Sequence, residues 1–267
     1  MLNYRVKLLE SLLTQQNTLF DSAGINVNGI MIAYWQNKCT SSVEYFLAKS
    51  QFSQHYAEQL FCAYVMAIGY RAPHKIFVQP GNGLVVNYEQ LPSFNNSGQM
   101  ALMEAVPFRF GPAVQKFVGK VAIEGIVSQI LFSVAQAFNT GEGGDMGVYL
   151  PLYLRDELVS WFLSNASFTQ VSLSPVSSQS LNTLDDRESA LFENFSYSSN
   201  DQSELLLRIK QNLELVSKRI QTLAGAKILE KIPEINQPIN QSVLDLLACA
   251  SNSQKLALMD PSWHPWF

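Results

Sequence analysis

Charged residues are scarce in this chain. Of its 267 residues only 15% are Asp, Glu, Lys or Arg, against about 25% in an average soluble domain. The net charge is -4 and the lysines and arginines are scattered, so the sequence lacks the basic stripe that neutralises phosphates in nucleic-acid-binding proteins. We therefore expect no nucleic-acid partner. A surface poor in charge repels other proteins weakly, which favours association; a low-charge monomer is the alternative.

Cysteine is scarce too. The chain has Cys39, Cys62 and Cys249, an odd number at wide spacings. This pattern argues against a disulfide framework, because such frameworks use even sets of closely spaced cysteines. We expect reduced, buried thiols in a cytoplasmic protein.

A long hydrophobic run is missing. The first residues, Met1–Glu10, mix charges into apolar positions and have no signal-peptide core. The longest apolar stretch, residues 121–138, is interrupted by Glu124, Gln129 and Gln136, and a spanning helix needs ~20 mostly apolar residues. We predict no direct membrane insertion, while attachment to the periphery of a membrane complex through protein contacts stays open.

Signatures of nucleotide, metal and covalent chemistry are missing as well. The glycine-rich stretch 141–147 follows a predicted helix instead of opening one, and Glu142 and Asp145 would repel a phosphate, so it is typical of a helix C-terminus and turn. The histidines have no partner at zinc-ligand spacing, and no Gly-x-Ser-x-Gly sequence is present. We predict no cofactor and no metal.

His55 is the histidine with chemical neighbours. On a predicted helix Glu58 lies one turn away and Cys62 two turns away. Such a group could act as an acid–base pair, or as a cysteine nucleophile with its base. A histidine on the polar side of an amphipathic helix is more often solvated. An enzyme, a hydrolase or transferase that uses His55 or His74, is therefore the alternative function.

The strongest pattern that is present is an apolar repeat near the C-terminal end. Its members alternate in steps of three and four residues, the a/d spacing of a helix whose seam packs on another helix. They are Leu206, Ile209, Leu213, Val216, Ile220 and Leu223. We predict that this seam binds a partner; docking on the final predicted helix, around Val243–Leu256, is the alternative.

The last residues, Asp260–Phe267, contain Trp263, Trp266 and Phe267. These side chains would leave a large apolar area in water unless they dock. Two prolines reduce the entropy lost on docking, and tryptophan is enriched among interface hot spots. We assign the three aromatic residues to partner binding; docking on the body of the chain is the alternative.

Local signals predict mixed secondary structure in the first part. The elements expected there are an amphipathic helix over 2–20, a buried strand Ile30–Trp35, a helix opened by the capping box Ser41–Glu44, a second helix over 53–68, and a β-hairpin of residues 75–79 and 84–88 around the turn Pro80–Gly83. The hairpin is the best-supported strand prediction.

Residues 112–138 resemble a central core helix, because the polar stripe of Lys116, Lys120, Glu124 and Ser128 is narrow. We expect its apolar residues Val121, Ile126, Ile130 and Val134 to be nearly fully buried. Beyond it we predict an extended segment over 147–154, a short helix over 155–163 and a strand over 168–174.

The chain is expected to divide into three parts. Residues 1–171 form a mixed α+β core domain, residues 172–203 a Ser-rich linker or mobile loop, and residues 204–267 a helical hairpin with an aromatic tail, packed on the core. The fold class is α+β and predominantly helical, with a β-hairpin region in the N-terminal part and a C-terminal αα unit.

These features together predict a non-enzymatic adaptor or scaffold subunit of a larger protein assembly, whose partners are other protein subunits. The low charge, the seam, the aromatic tail and the missing catalytic motifs support it. The Asn-, Gln- and Ser-rich composition alone suggests a bacterial secretion-type complex, with the protein in the cytoplasm or at the periphery of a membrane complex.

Overall fold

The computed structural model describes residues 29–69, 71–141, 146–171, 199–225, 241–256 and 258–259. Its α-helices are α1 (Ile30–Lys38), α2 (Ser42–Val65), α3 (Pro112–Val118), α4 (Lys120–Ala122), α5 (Ser128–Thr140), α6 (Met146–Val171), α7 (Ser199–Ala224), α8 (Gln241–Ala250) and α9 (Ser253–Leu256); its strands are β1 (Ile76–Val78) and β2 (Val85–Asn87). This described part is predominantly helical with a small two-stranded sheet, which confirms the coarse fold prediction.

Three predicted features lie outside the described residues. They are the amphipathic helix over 2–20, most of the Ser-rich linker and the aromatic tail from Asp260 onwards. The helices of the predicted C-terminal αα unit are α7 and α8, but the residues between Gly225 and Gln241 are also outside. The finer division of the chain into three parts stays a prediction.

Helix α2 begins at the predicted capping box. The Glu44 amide donates to Ser41 Oγ at 3.2 Å, and the Glu44 carboxylate accepts from the Thr40 amide at 2.7 Å. These bonds satisfy amides that the first helical turn leaves open. The helix then runs without interruption to Val65, so the prediction of two separate helices was wrong.

Helix α1 replaces the predicted buried strand. Trp35 is buried and stacks on Phe117 at 6.2 Å between ring centroids, whereas Ile30 and Tyr34 are exposed. A short apolar run can form either a strand or a helix. Here the burial of one aromatic residue against a neighbouring helix determines the outcome.

The predicted β-hairpin is confirmed. Strands β1 and β2 pair antiparallel, with Phe77 opposite Val86 and Val78 opposite Val85. Gly83 has a φ of +70° in the turn, and a Cβ there would lie 2.5 Å from the Ala48 carbonyl oxygen of α2. The hairpin therefore needs a glycine at this position both for its turn and for its close contact with the helix.

Residues 112–140 do not form the predicted single helix. Gly119, with a φ of +84°, separates α3 from α4, and a π-helix at Ile123–Val127 precedes α5. Because the break at Gly119 and the π-helix each change the direction in which side chains point, the straight-helix prediction assigned the wrong face. Val121 is 89% exposed and Ile126 37% exposed, and Ile130 and Val134 are only half-buried, so the burial prediction was wrong.

Within the described residues no single helix has the length and apolarity to cross a membrane, although α3 and Ile123–Thr140 meet that test as a pair bent by 98°.

The chain contains two compact units. The first comprises Met1–Ser93, Leu102–Gly144 and Ser217–Phe267. Its described core holds an aromatic cluster in which Phe52 packs on both Tyr56 and Phe117, each at 5.2 Å between ring centroids. These contacts join α2 to α3, so the helix behind the hairpin is rigidly supported.

The second unit comprises Phe94–Ala101 and Asp145–Val216. Helix α6 includes all of residues 147–154, predicted to be extended, and residues 168–171 of the predicted strand 168–174, whose last three residues lie outside the described residues. The prediction of an extended segment was therefore wrong, as was that of a strand over 168–171. Asn212 on α7 is fully buried; its Oδ1 accepts from the Met100 amide at 2.7 Å and its Nδ2 donates to the Gly98 carbonyl at 2.9 Å. These two hydrogen bonds hold the segment Phe94–Ala101 against α7.

Candidate functional site

A cleft between helix α2 and the hairpin is the candidate site. It is a shallow cleft that opens to solvent and has room inside for about one water molecule, about 20 Å³. Apolar residues form much of its wall, and the polar residues that line it are Tyr56, Gln59, Arg71, Lys75, Asn87, Glu89 and Arg109. The lining belongs to the first unit alone. A cleft with a few convergent charged groups is the usual form of a ligand site.

Lys75 and Glu89 close the base of the hairpin. Lys75 precedes β1 and Glu89 follows β2, and the Tyr88 amide donates to the Lys75 carbonyl at 2.8 Å. This pairing of the chain brings the two side chains together, and the Lys75 ammonium donates to the Glu89 carboxylate. The ion pair is only partly exposed, so solvent screens it less than a surface pair.

Arg71 is the most deeply buried cation of the cleft, at 7% exposure. Its guanidinium forms an ion pair with Glu104 and donates to the carbonyls of Val106, at 3.2 Å, and Pro107. Burial lowers the pKa of Arg71 to about 10, which still leaves it protonated at neutral pH. Arg71 therefore brings a full positive charge into the interior, where it requires acceptors.

Tyr56 and Arg109 complete the inner wall. Burial raises the pKa of Tyr56 to about 12, so its hydroxyl stays protonated and donates to the Arg109 carbonyl. Burial also lowers the pKa of Arg109. Neither group is placed to act as a base at neutral pH, because one holds its proton too tightly and the other remains a cation.

Carboxylates that could serve catalysis are few here. The sequence has no aspartate between Ser22 and Gly144. The glutamates near the cleft, Glu89 and Glu104, are both in ion pairs. Among the residues that the structure describes, no group of three or more His, Cys, Asp or Glu side chains could hold a metal ion.

The six residues of the predicted seam differ in how far their side chains are exposed. Ile209, Val216, Ile220 and Leu223 are buried, Leu213 is half-buried, and Leu206 is 66% exposed. The prediction that the seam binds a partner is not tested by this placement, since burial here arises within the chain. Trp263, Trp266 and Phe267 lie outside the described residues, and their role stays a prediction as well.

The other motifs weighed from the sequence are not among the residues that line the cleft. His55 is 3.5 Å from the Glu58 carboxylate, with His55 partly exposed and Glu58 exposed, and burial raises the pKa of Cys62, which disfavours a thiolate. Gly141 ends α5 in a left-handed conformation, as a helix C-cap does. No motif in the sequence marks the cleft, because its lining comes from segments far apart in the chain.

Comparison with known proteins gives consistent relatives. The "SAGA complex/NuA4 acetyltransferase complex subunit Tra1" of Schizosaccharomyces pombe is 27% identical over 238 residues, which is 89% of this chain and 6% of that protein. The subunit TRA1 of the same complexes in Saccharomyces cerevisiae is 27% identical over 252 residues, 85% of this chain and 6% of its own. The Homo sapiens "Transformation/transcription domain-associated protein" is 22% identical over 227 residues, 85% of this chain and 5% of its own.

This chain therefore spans about 6% of the length of the first two relatives. The solved structure named "FAT and kinase domain of CtTel1" has a TM-score of 0.54 and 16% identity, and covers 100% of this chain and 15% of its own. At that identity the likeness concerns the fold alone.

These findings correct the functional prediction. The bacterial secretion-type adaptor is wrong, because the relatives are eukaryotic and are named as subunits of acetyltransferase complexes. The cytoplasmic location beside a membrane complex is wrong for the same reason. Relatives that are complex subunits do support the coarser prediction of protein partners. The family model for phosphatidylinositol 3- and 4-kinase matches residues 7–163, more than half of the sequence, and the chain belongs to that family.

Proposed function

We propose that this chain is a kinase-fold region that does not transfer phosphate and that works as part of a large subunit of an acetyltransferase complex. The absence of aspartate between Ser22 and Gly144 carries the first half of this proposal. The named complexes of its relatives support the second half.

Phosphate transfer in kinases depends on carboxylates. A catalytic-loop aspartate accepts the proton of the attacking hydroxyl, and a second aspartate, together with an asparagine, holds the magnesium ions. The cleft of this chain offers neither aspartate. Its glutamates, Glu89 and Glu104, are each neutralised by a cation. A magnesium ion at Glu89 would have to displace the Lys75 ammonium, and the nearby positive charges disfavour a divalent cation.

The site is also poor in bases. Tyr56 keeps its proton, and Arg71 and Arg109 remain cationic. Without a base to orient the nucleophile, and without a metal to neutralise the transferred group, little of the rate enhancement of a kinase can be achieved. The fold then serves as a protein surface, which agrees with the low charge of the sequence.

The test uses the full-length protein from its native source. Magnesium-dependent ATP binding and phosphate transfer are measured beside an E89A variant, and the protein is affinity-purified to identify its partners by mass spectrometry. We expect no phosphate transfer above background from either protein, and recovery of acetyltransferase subunits. Phosphate transfer by the wild type that is lost in E89A would overturn the first half of the proposal. A preparation free of acetyltransferase subunits would overturn the second.

A further inference from the structure

Residues 102–111, which follow the hairpin, are held by side chains instead of by secondary structure. The segment is neither helix nor strand, yet Val106, Phe108 and Phe110 are at most 1% exposed. Several of its backbone carbonyls accept hydrogen bonds from side chains that lie outside the segment. Arg71 donates to those of Val106 and Pro107, Tyr56 donates to that of Arg109, and Gln115 donates to that of Phe110 at 2.7 Å.

Arg71 is central to this arrangement because it binds the segment at three points. Its ion pair with Glu104 adds a charge-assisted contact to the two bonds with carbonyls. Burial disfavours the charged form of this guanidinium, and the nearby positive charge of Arg109 disfavours it too. A buried cation in this setting requires an anion, and Glu104 is the anion that the segment supplies.

In protein kinases a loop is often ordered when a phosphorylated side chain pairs with an arginine. We propose that the Glu104 carboxylate permanently takes the place of such a phosphate. As a built-in counter-ion of Arg71, it keeps residues 102–111 fixed against Arg71 without phosphorylation. The segment would then be a constant surface of the protein and not a switch. This inference does not depend on whether the chain transfers phosphate.

The test is amide hydrogen exchange of the full-length protein with the substitutions E104A and E104Q. The control is E124Q, which removes the same charge from an exposed glutamate. We expect exchange within residues 102–111 to rise about tenfold or more in E104A, the factor expected when a charge-assisted bond is lost. Exchange in α5 and in the control variant should match the wild type.

Added inorganic phosphate provides the second measurement. In E104A it should occupy the vacated position beside Arg71 and restore protection of residues 102–111, and in the wild type it should change nothing. The phosphate measurement applies to E104A alone, because the glutamine of E104Q still fills the position beside Arg71; if E104A does not fold, the exchange measurement on E104Q decides. Exchange at 102–111 that equals the wild type in both variants would overturn the inference, as would an increase spread evenly over the chain or a failure of phosphate to restore protection.

Discussion

Asn212 provides the sharpest test of the packing in the second unit. Its amide is fully buried and makes one bond as acceptor and one as donor, to the Met100 amide and the Gly98 carbonyl. Each bond lost at a buried position costs about 1–3 kcal/mol. Replacement by leucine, which has the same number and branching of side-chain heavy atoms but no polar atom, should therefore lower the free energy of unfolding by about 2–4 kcal/mol.

Replacement of Asn212 by aspartate adds a test through pH. The carboxylate can still accept from the Met100 amide, but its second oxygen faces the Gly98 carbonyl, and the site is dry. Burial should raise the pKa of this aspartate above its usual ~3.9. The protonated acid can donate to Gly98, so the loss of stability should be small below about pH 4 and should grow as pH rises through the raised pKa.

The measurement is denaturant unfolding of the chain at acid and neutral pH, with N96D as the control. Asn96 lies in the same loop but is exposed, so its change to aspartate should alter stability by less than about 0.5 kcal/mol. An N212L protein as stable as the wild type would refute the reasoning. So would an N212D protein whose loss of stability is the same at both pH values.

Three further outcomes are expected. Gly83→Ala should lower the melting temperature by several degrees, because its φ is positive and its Cβ would meet the backbone of α2, while Gly81→Ala, with nothing within 4 Å, should not. Because hydrogen bonds lower the pKa of Glu44, the stability lost in E44Q should be evident above the unfolded pKa of about 4.3 and should vanish as acid protonates the wild type; a constant difference would contradict this. Leu223→Ala should cost about 2–5 kcal/mol in chemical unfolding and Leu206→Ala under about 0.5, since the first is buried and the second exposed; equal losses would argue against the described seam.

Elements with local signals could be predicted from the sequence. The capping box needs only Ser41 and Glu44 to be three residues apart, and the hairpin needs a glycine-rich turn between two β-rich runs. In both cases the bonds that decide the structure form between residues close in the chain. For this reason the sequence predicted them without knowledge of the tertiary fold.

Elements decided by tertiary contacts could not be predicted in this way. The apolar segment that begins at Ile30 forms a helix in which Trp35 stacks on Phe117, a residue more than eighty positions away in the chain. The break at Gly119 and the following π-helix interrupt a stretch whose apolar pattern favours one straight helix. A hydrophobic pattern gives the period of an element, but it does not show where packing forces the backbone to change.

The candidate site was hidden for a different physical reason. A sequence motif is recognised by residues at fixed spacings, whereas the charged residues of this cleft come from separate segments of the chain. Lys75 and Glu89 are fourteen positions apart, and nothing in either neighbourhood marks them until the hairpin pairs its strands and joins their charges. The Lys75 ammonium donates to the Glu89 carboxylate, so a cation bound at that carboxylate would have to compete with Lys75. Beside the missing aspartates, this ion pair of Lys75 and Glu89 is a second support for the proposal that the cleft does not transfer phosphate.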